Sequence, residues 1–402
     1  MWKLALRNVF RHKSRTALTL AAIVLSVVSL IISSGFVQDF LTQLREATIH
    51  SQFGHLQVYR AGYYQFGRRF PFKYIIENPD KIIERLAQLN YVSEITSRIN
   101  FSGLLSNGRQ TFPVVGEGIE PEKETKLSTY VRLVAGTQLS KNEPFSVLVG
   151  QGVANSLNLE VGDHVSILVN TPEGALNTID FKITGVFQTF SKEFDDRAVR
   201  VPLAAAQELL DFKAVHSLVV ALTDTAKTDE VRDEVGRILG TNEFEIKTWY
   251  ELADFYQKAV ELYERYFLVL RIILLGLILL SVVNSVNMSL YERTGEFGTL
   301  MALGNHAKDL FKLIIQESIL LGLMGSMIGV SLGIVLAFGI SLIGIPMPPM
   351  PNSNSGYVAL IQIVPSEVCI AFLIGIVATT GAAIRPAIRV SQIPVIEALR
   401  HN

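Results

Sequence analysis

The sequence predicts a membrane α-helical protein with four transmembrane helices, both termini inside (N-in/C-in). A large extracytoplasmic α+β domain of two lobes is inserted between the first and second spans. Three observations carry this. Hydrophobic residues, 49% of 402, gather in about the first 40 and the last 140 positions. Four stretches there are long and uncharged enough to cross the ~30 Å of bilayer hydrocarbon. The short segments flanking them carry the Lys/Arg bias of the cytoplasmic side.

Residues 1–15 form a basic cytoplasmic helix. Lys3, Arg7, Arg11 and Arg15 recur every four residues, with Trp2, Leu6, Val9 and Phe10 elsewhere on the helix. That pattern suits a helix lying along the inner leaflet; the plainer reading is a positive-inside signal alone. Residues 16–45 are the first span and its outward extension, since Thr16 to Phe36 holds no charge. A cleavable signal peptide is the alternative, but the stretch is long for its apolar region. Residues 46–105 and 214–248 form an exterior α+β lobe. Strand-like His55–Tyr59, a helix opened by Asn78-Pro79 and strand-like Val92–Ile99 return as Ser217–Leu222, Lys227–Leu239 and Phe244–Thr248. Between them, 106–213 is a β-rich inserted lobe. Asn107-Gly108 is expected to join Phe101–Ser106 to Gln110–Val115 as a type I′ hairpin. Gly162-Asp163 and Pro172-Glu173-Gly174 mark further turns.

Residues 249–290 combine a stalk helix with the second span. Leu252, Phe255, Ala259 and Tyr263 fall at helical spacing, as do Tyr256, Leu262 and Tyr266. No Gly or Pro lies between Trp249 and Arg271, so one unbroken helix is expected. It could be a rigid tether or a rod that transmits movement. Residues 291–312 are a cytoplasmic loop and 313–343 the third span. A short outside loop, 344–366, is broken by prolines 346, 348, 349 and 351. The fourth span is 367–388 and the cytoplasmic tail 389–402. Small residues repeat every four along three spans: Gly325, Gly329 and Gly333; Ser281, Ser285 and Ser289; Ala371, Gly375, Thr379 and Ala383. Such stripes let helix backbones approach closely, inside one bundle or across a dimer.

Most chemistry is excluded. Lys and Arg number 36 against 37 Asp and Glu, so no basic excess suits nucleic acid. The lone Cys369 rules out a disulfide framework and a multi-cysteine zinc site. No phosphate-binding Gly-Lys-Ser/Thr loop or His-Glu-x-x-His occurs, and the seven histidines are scattered. Glu317, near the start of the third span, reads as structural. The chain is expected not to be an enzyme by itself.

The loop Tyr291-Glu292-Arg293-Thr294-Gly295-Glu296-Phe297-Gly298-Thr299-Leu300-Met301-Ala302-Leu303-Gly304 is a short amphipathic segment ending at a glycine C-cap. Phe297, Leu300 and Met301 should form an apolar patch that wants a partner. The segment resembles the E-R-x-x-E-[FI]-G-x-L-[RM]-A-x-G coupling helix of FtsX-like ABC permeases, with Met301 where Arg is common. That family includes the MacB efflux pump, the lipoprotein-releasing Lol permeases and FtsX. Val147–Gly150 followed by Leu157–Asp163 looks like the family's exterior domain. Pro394–Arg400 resembles its terminal Pro-Val-Glu-Ala-Leu-Arg, here with Ile396 added.

The resemblance implies that Glu292, Arg293, Glu296, Phe297, Gly298, Leu300 and Gly304 meet a dimer of separate ABC ATPase subunits. Those subunits would bind ATP and Mg; this chain would hold no cofactor. It implies a second permease subunit (homo- or heterodimer), contact with membrane lipid, and no nucleic-acid partner. A periplasmic adaptor or carrier protein is a further partner it allows. The expected location is the bacterial inner membrane, with the large domain in the periplasm. No fused ATPase precedes the first span, which favours a Lol-like permease extracting lipid-anchored cargo. A MacB-like export permease, an FtsX-like regulator and a membrane-anchored scaffold or sensor stay as alternatives.

Overall fold

A computed structural model describes every residue except Met1, His12, Arg68, Thr241, 350–355 and 392–402. The chain divides into two compact units: Met1–Thr42, Val260–Pro346 and Val358–Asn402 in one, Gln43–Ala259 and Met347–Tyr357 in the other.

The first unit holds the spans. A short helix, Trp2–Arg11, buries Ala5 and Val9 and leaves Trp2, Leu6 and Phe10 about half exposed on its other side. The long helices are Lys13–Thr48, Asp254–Glu292, Ala307–Ile343 and Pro365–Ser391. All four contain stretches long and apolar enough to cross a membrane. The third helix therefore starts at Ala307, inside the expected loop, because His306 and Asp309 cap it reciprocally. The Pro394–Arg400 motif lies outside the described residues, as does part of the 344–366 loop.

Small residues set how closely these helices pack. A Cβ on Gly325 would lie 2.8 Å from Ile23, one on Gly329 2.8 Å from Val27, and one on Gly333 3.0 Å from Ile31. The glycine stripe of the third span is thus filled by the first span of the same chain. Gly322 faces the fourth span, where a Cβ would meet Ile376 at 3.1 Å and Thr379 at 3.2 Å. The hydroxyls of Thr19 and Ser285 hydrogen-bond between the first and second spans. Ala371, Thr379 and Ala383 are all buried. Buried Asp39 accepts from the backbone N–H of Leu360 and the amide of Gln362, at 2.9 and 3.2 Å, fixing the segment before the fourth span onto the first.

The second unit is built on one ten-stranded sheet. Its strands are β1 Leu56–Arg60, β2 Val92–Ser106, β3 Thr111–Ile119, β4 Arg132–Gly136 and β5 Ser146–Gly150. They continue as β6 His164–Asn170, β7 Leu176–Gln188, β8 Ala198–Pro202, β9 Ser217–Leu222 and β10 Phe244–Thr248. The order is β10-β1-β9-β2-β3-β8-β5-β7-β4, with β6 pairing β2 and β7. The expected lobe and its β-rich insertion share this one sheet, which runs through both regions. The reason is the length of β2. Its first half pairs with β9 and its second half with β6, while β3 lies along its other edge from Arg98 to Ser106. A single buried cluster accordingly mixes Leu56, Leu218 and Val220 with Val147, Phe181 and Val199.

Two local expectations change. The β2–β3 hairpin forms where expected, but Gly108 (φ 81°) takes the left-handed conformation and Asn107 does not. The turn is therefore not the expected I′ pair, which needs a positive φ at both central residues. Asn107 instead uses its side-chain oxygen to accept from Arg109 and Gln110. The stalk is also interrupted. Trp249–Leu252 is a separate turn closed by a Thr248–Glu251 capping box, and the long helix begins only at Asp254. Between them, the N–H of Ala253 and the amide of Gln257 both bond the Tyr250 carbonyl.

Candidate coupling site

The second long helix ends at Glu292, and after one residue the chain re-enters a helix, Thr294–Ala302. Thr294 Oγ1 donates to the Tyr291 carbonyl at 2.9 Å, and the Phe297 N–H to that of Arg293 at 3.0 Å, so the corner is locked by local bonds. The segment stops at Gly304, whose φ of 96° suits a residue without a Cβ. Its N–H closes onto Met301 at 3.0 Å.

Arg293 organises the corner. Its side chain is 7% exposed; Nη1 donates to both oxygens of Glu317, at 3.2 and 3.0 Å, and Nε to Glu296 at 3.4 Å. The guanidinium lies 4.9 Å from the centre of the Phe297 ring. Glu317 also accepts from the Asn8 amide at 2.7 Å, while Arg11 bridges to Glu296 at 2.8 Å. The Trp2–Arg11 helix, the Thr294–Ala302 helix and the base of the third span are thereby tied together through one carboxylate. Breaking a buried pair of this kind costs about 3–5 kcal/mol, because the remaining charge is left uncompensated. The Arg11–Glu296 bridge, at 61% and 42% exposure, is worth about 0–1 kcal/mol.

The expected docking patch is rearranged. Phe297, 1% exposed, is buried in the bundle core with Leu310 and Ile314; Gly298 is buried, and Leu300 half-buried against the same core. These apolar residues anchor the segment and do not present it. Its outer face carries Glu292, Glu296, Thr299, Ala302 and Leu303, the last 78% exposed. Sequence reasoning did not connect Asn8, Arg11 or Glu317 to this site; a lone carboxylate at the base of an apolar span was the available signal.

Of the stalk residues, Tyr263 lies with its ring tilted against Phe40 of the Lys13–Thr48 helix, centres 4.5 Å apart, and Ala259 is half-buried. Phe255 is 47% exposed, and Leu252 belongs to the turn before the break. The expected apolar face is thus split between inward and outward sides.

In the sheet domain, a buried charge cluster went unnoticed in the sequence. Arg98 donates Nε and Nη2 to Glu124 and Nη1 to the Gln52 carbonyl. Arg200 donates to Glu117 at 2.9 Å and to the Ser51 carbonyl at 3.1 Å. All four side chains are under a tenth exposed. Burial opposes ionisation of Glu124, yet Arg98 and Arg200 outweigh it and hold its carboxyl below the usual range. Ser51 and Gln52 lie in the π-helical turn Ile49–Phe53 that ends the first long helix, so the two arginines satisfy terminal carbonyls. Among the described residues no group of three or more His, Cys, Asp or Glu is arranged to hold a metal ion.

Residues 16–238 match the MacB-like periplasmic core domain, and residues 268–395 the FtsX-like permease C-terminal domain. The chain is similar to the lipoprotein-releasing system transmembrane protein LolC of Neisseria meningitidis. They are 24% identical over 96% of this chain and 94% of that protein. It is also similar to LolE of the same system in Haemophilus influenzae, 24% identical over 71% of this chain and 70% of that protein. The macrolide export ATP-binding/permease protein MacB of Campylobacter jejuni is 22% identical over 90% of this chain and 57% of its own length.

Proposed function

The chain belongs to the family of ABC transporter permeases with a MacB-like periplasmic core domain and an FtsX-like C-terminal part, and on that premise we propose that it releases lipid-anchored cargo from the membrane. In this reading it is a non-catalytic subunit of the bacterial inner membrane, with both termini in the cytoplasm and the sheet domain in the periplasm. It pairs with a second permease subunit over two ATPase subunits, which bind ATP and Mg. The Thr294–Ala302 helix receives their movement, and the helices Lys13–Thr48 and Asp254–Glu292 carry it outward.

The observation that carries the choice of cargo is the alignment with LolC along 94% of that protein's length. The test is reconstitution with the co-purifying ATPase and a fluorescent triacylated lipoprotein in vesicles. ATP-dependent transfer of the acylated protein to solution, without transfer of an unacylated copy, is expected. Transfer independent of acylation would overturn the cargo assignment.

A second reading, export of a soluble substrate with a periplasmic adaptor, is supported by the MacB-like core domain covering residues 16–238 and by the Campylobacter MacB alignment. Retention of an adaptor by the tagged sheet domain, with no acylated protein, would favour it.

A further inference from the structure

The second and fourth spans leave between them an open groove of 380 Å³ lined only by aliphatic side chains, among them Leu275, Leu279, Ile370, Leu373, Ile374 and Val377. Ile370 and Ile374 also line the space beside Arg271 and Glu367, which form an ion pair at one end of the groove. We propose that this is a binding site for one zwitterionic phospholipid. Its acyl chain lies in the groove; its phosphate meets Arg271 and its ammonium meets Glu367. The assignment goes beyond the transport reading and does not depend on which cargo is moved.

Three features point to that ligand. The groove is open along one side and its lining is wholly aliphatic, which suits part of one acyl chain. Depth is right as well. The helix runs unbroken from Arg271 to Glu292, about 30 Å at 1.5 Å per residue, so Arg271 stands at the hydrocarbon boundary opposite the Thr294–Ala302 corner. Glu367 stands in the first turn of the fourth span at the same level. The groove therefore belongs to the leaflet on that side.

Charge then selects the head group. An acyl chain moving from bilayer to apolar groove gains no hydrophobic energy, so selectivity has to come from the polar end. Arg271 and Glu367 are each about a third exposed, at 31% and 29%, and the Phe267 ring 4.4 Å from the guanidinium backs the pair. They present one cation and one anion side by side. An anionic head group gains Arg271 but is repelled by Glu367; an uncharged one meets neither. A phosphate followed by an ammonium complements both.

The full-length chain, extracted in mild detergent, would be placed in vesicles of equal parts phosphatidylethanolamine and phosphatidylglycerol, then re-extracted and its retained lipid measured by mass spectrometry. The wild type should retain phosphatidylethanolamine about two- to five-fold over phosphatidylglycerol, the selectivity expected of one partly exposed charge contact. Glu367→Gln should erase or invert that preference while lipid is still retained. Val377→Trp, at a position 67% exposed to the bilayer, should fill the groove and lower retained lipid without touching the ion pair. Equal retention of both lipids by the wild type, or a preference unmoved by Glu367→Gln, would overturn the proposal. So would disulfide cross-linking of Val377→Cys between two chains, which would make a second copy the occupant.

Discussion

Arg293 holds both oxygens of Glu317 across the corner between the second and third spans, and the pair is almost closed to solvent. A charged pair at this depth is retained only where its geometry is well satisfied. Here Asn8 and Glu296 complete it, so the short N-terminal helix is part of the coupling corner.

Glu317→Gln tests that corner. It keeps the shape and leaves the buried Arg293 with only the longer Glu296 contact at 3.4 Å, a loss of about 3 kcal/mol. Amide exchange across Thr294–Ala302 should rise by about two orders of magnitude, while exchange in the sheet domain stays unchanged. Unaltered exchange in the helix would show that Glu317 does not hold it.

Gly329→Leu should separate the first and third spans, because even its Cβ would meet Val27 at 2.8 Å. Overpacking of this kind costs about 1–3 kcal/mol, read as a lower midpoint for detergent-solubilised unfolding. Gly339→Ala, where nothing lies within 4 Å of the added carbon, is the control and should leave the midpoint in place.

Glu124→Gln should cost the sheet domain about 3 kcal/mol, since Arg98 would keep only the Gln52 carbonyl and distant Glu117. The π-helical turn should fray with it. Proteolysis near Ile49–Phe53 that is faster in the variant would support this; unchanged cleavage would contradict it.

Acid should loosen the same domain through two histidines. Burial pushes both His55 and His216 down to about 4. In each ring Nδ1 accepts a backbone N–H, from Leu222 and Asn100 respectively, and protonation removes that acceptor. The unfolded chain takes up these protons near its ordinary 6.5, so stability is full above about pH 7 and falls as pH drops from 6.5 towards 4. Each histidine contributes up to about 3 kcal/mol of that fall, at 1.36 kcal/mol per pH unit. In His216→Asn, whose amide oxygen can replace Nδ1, the unfolding midpoint should depend less on pH. An unchanged pH slope would remove His216 from the account.

The spans and several strands were legible because one periodicity dominates each of them. Ser217–Leu222 and Phe244–Thr248 are strands over those same residues. Three features were not legible. The union of the two expected lobes depends on β2 pairing at both ends with strands far away in sequence, which no local pattern encodes. The stalk break at Ala253 follows from two hydrogen bonds to one carbonyl, although the Thr248–Glu251 capping signature preceding it could have been read. Phe297 looked like an exposed anchor for a partner because a short loop has no visible core; its burial depends on the third span lying beside it.

The central claim is that the outer face of the Thr294–Ala302 corner meets a separate ATPase. A photo-crosslinking amino acid at Leu303, the most exposed apolar side chain there, tests it most directly in intact cells. Covalent capture of an ABC ATPase subunit, lost in Glu317→Gln, is the predicted result. Capture of lipid alone, or of no ATPase at any crosslinker length, would contradict it.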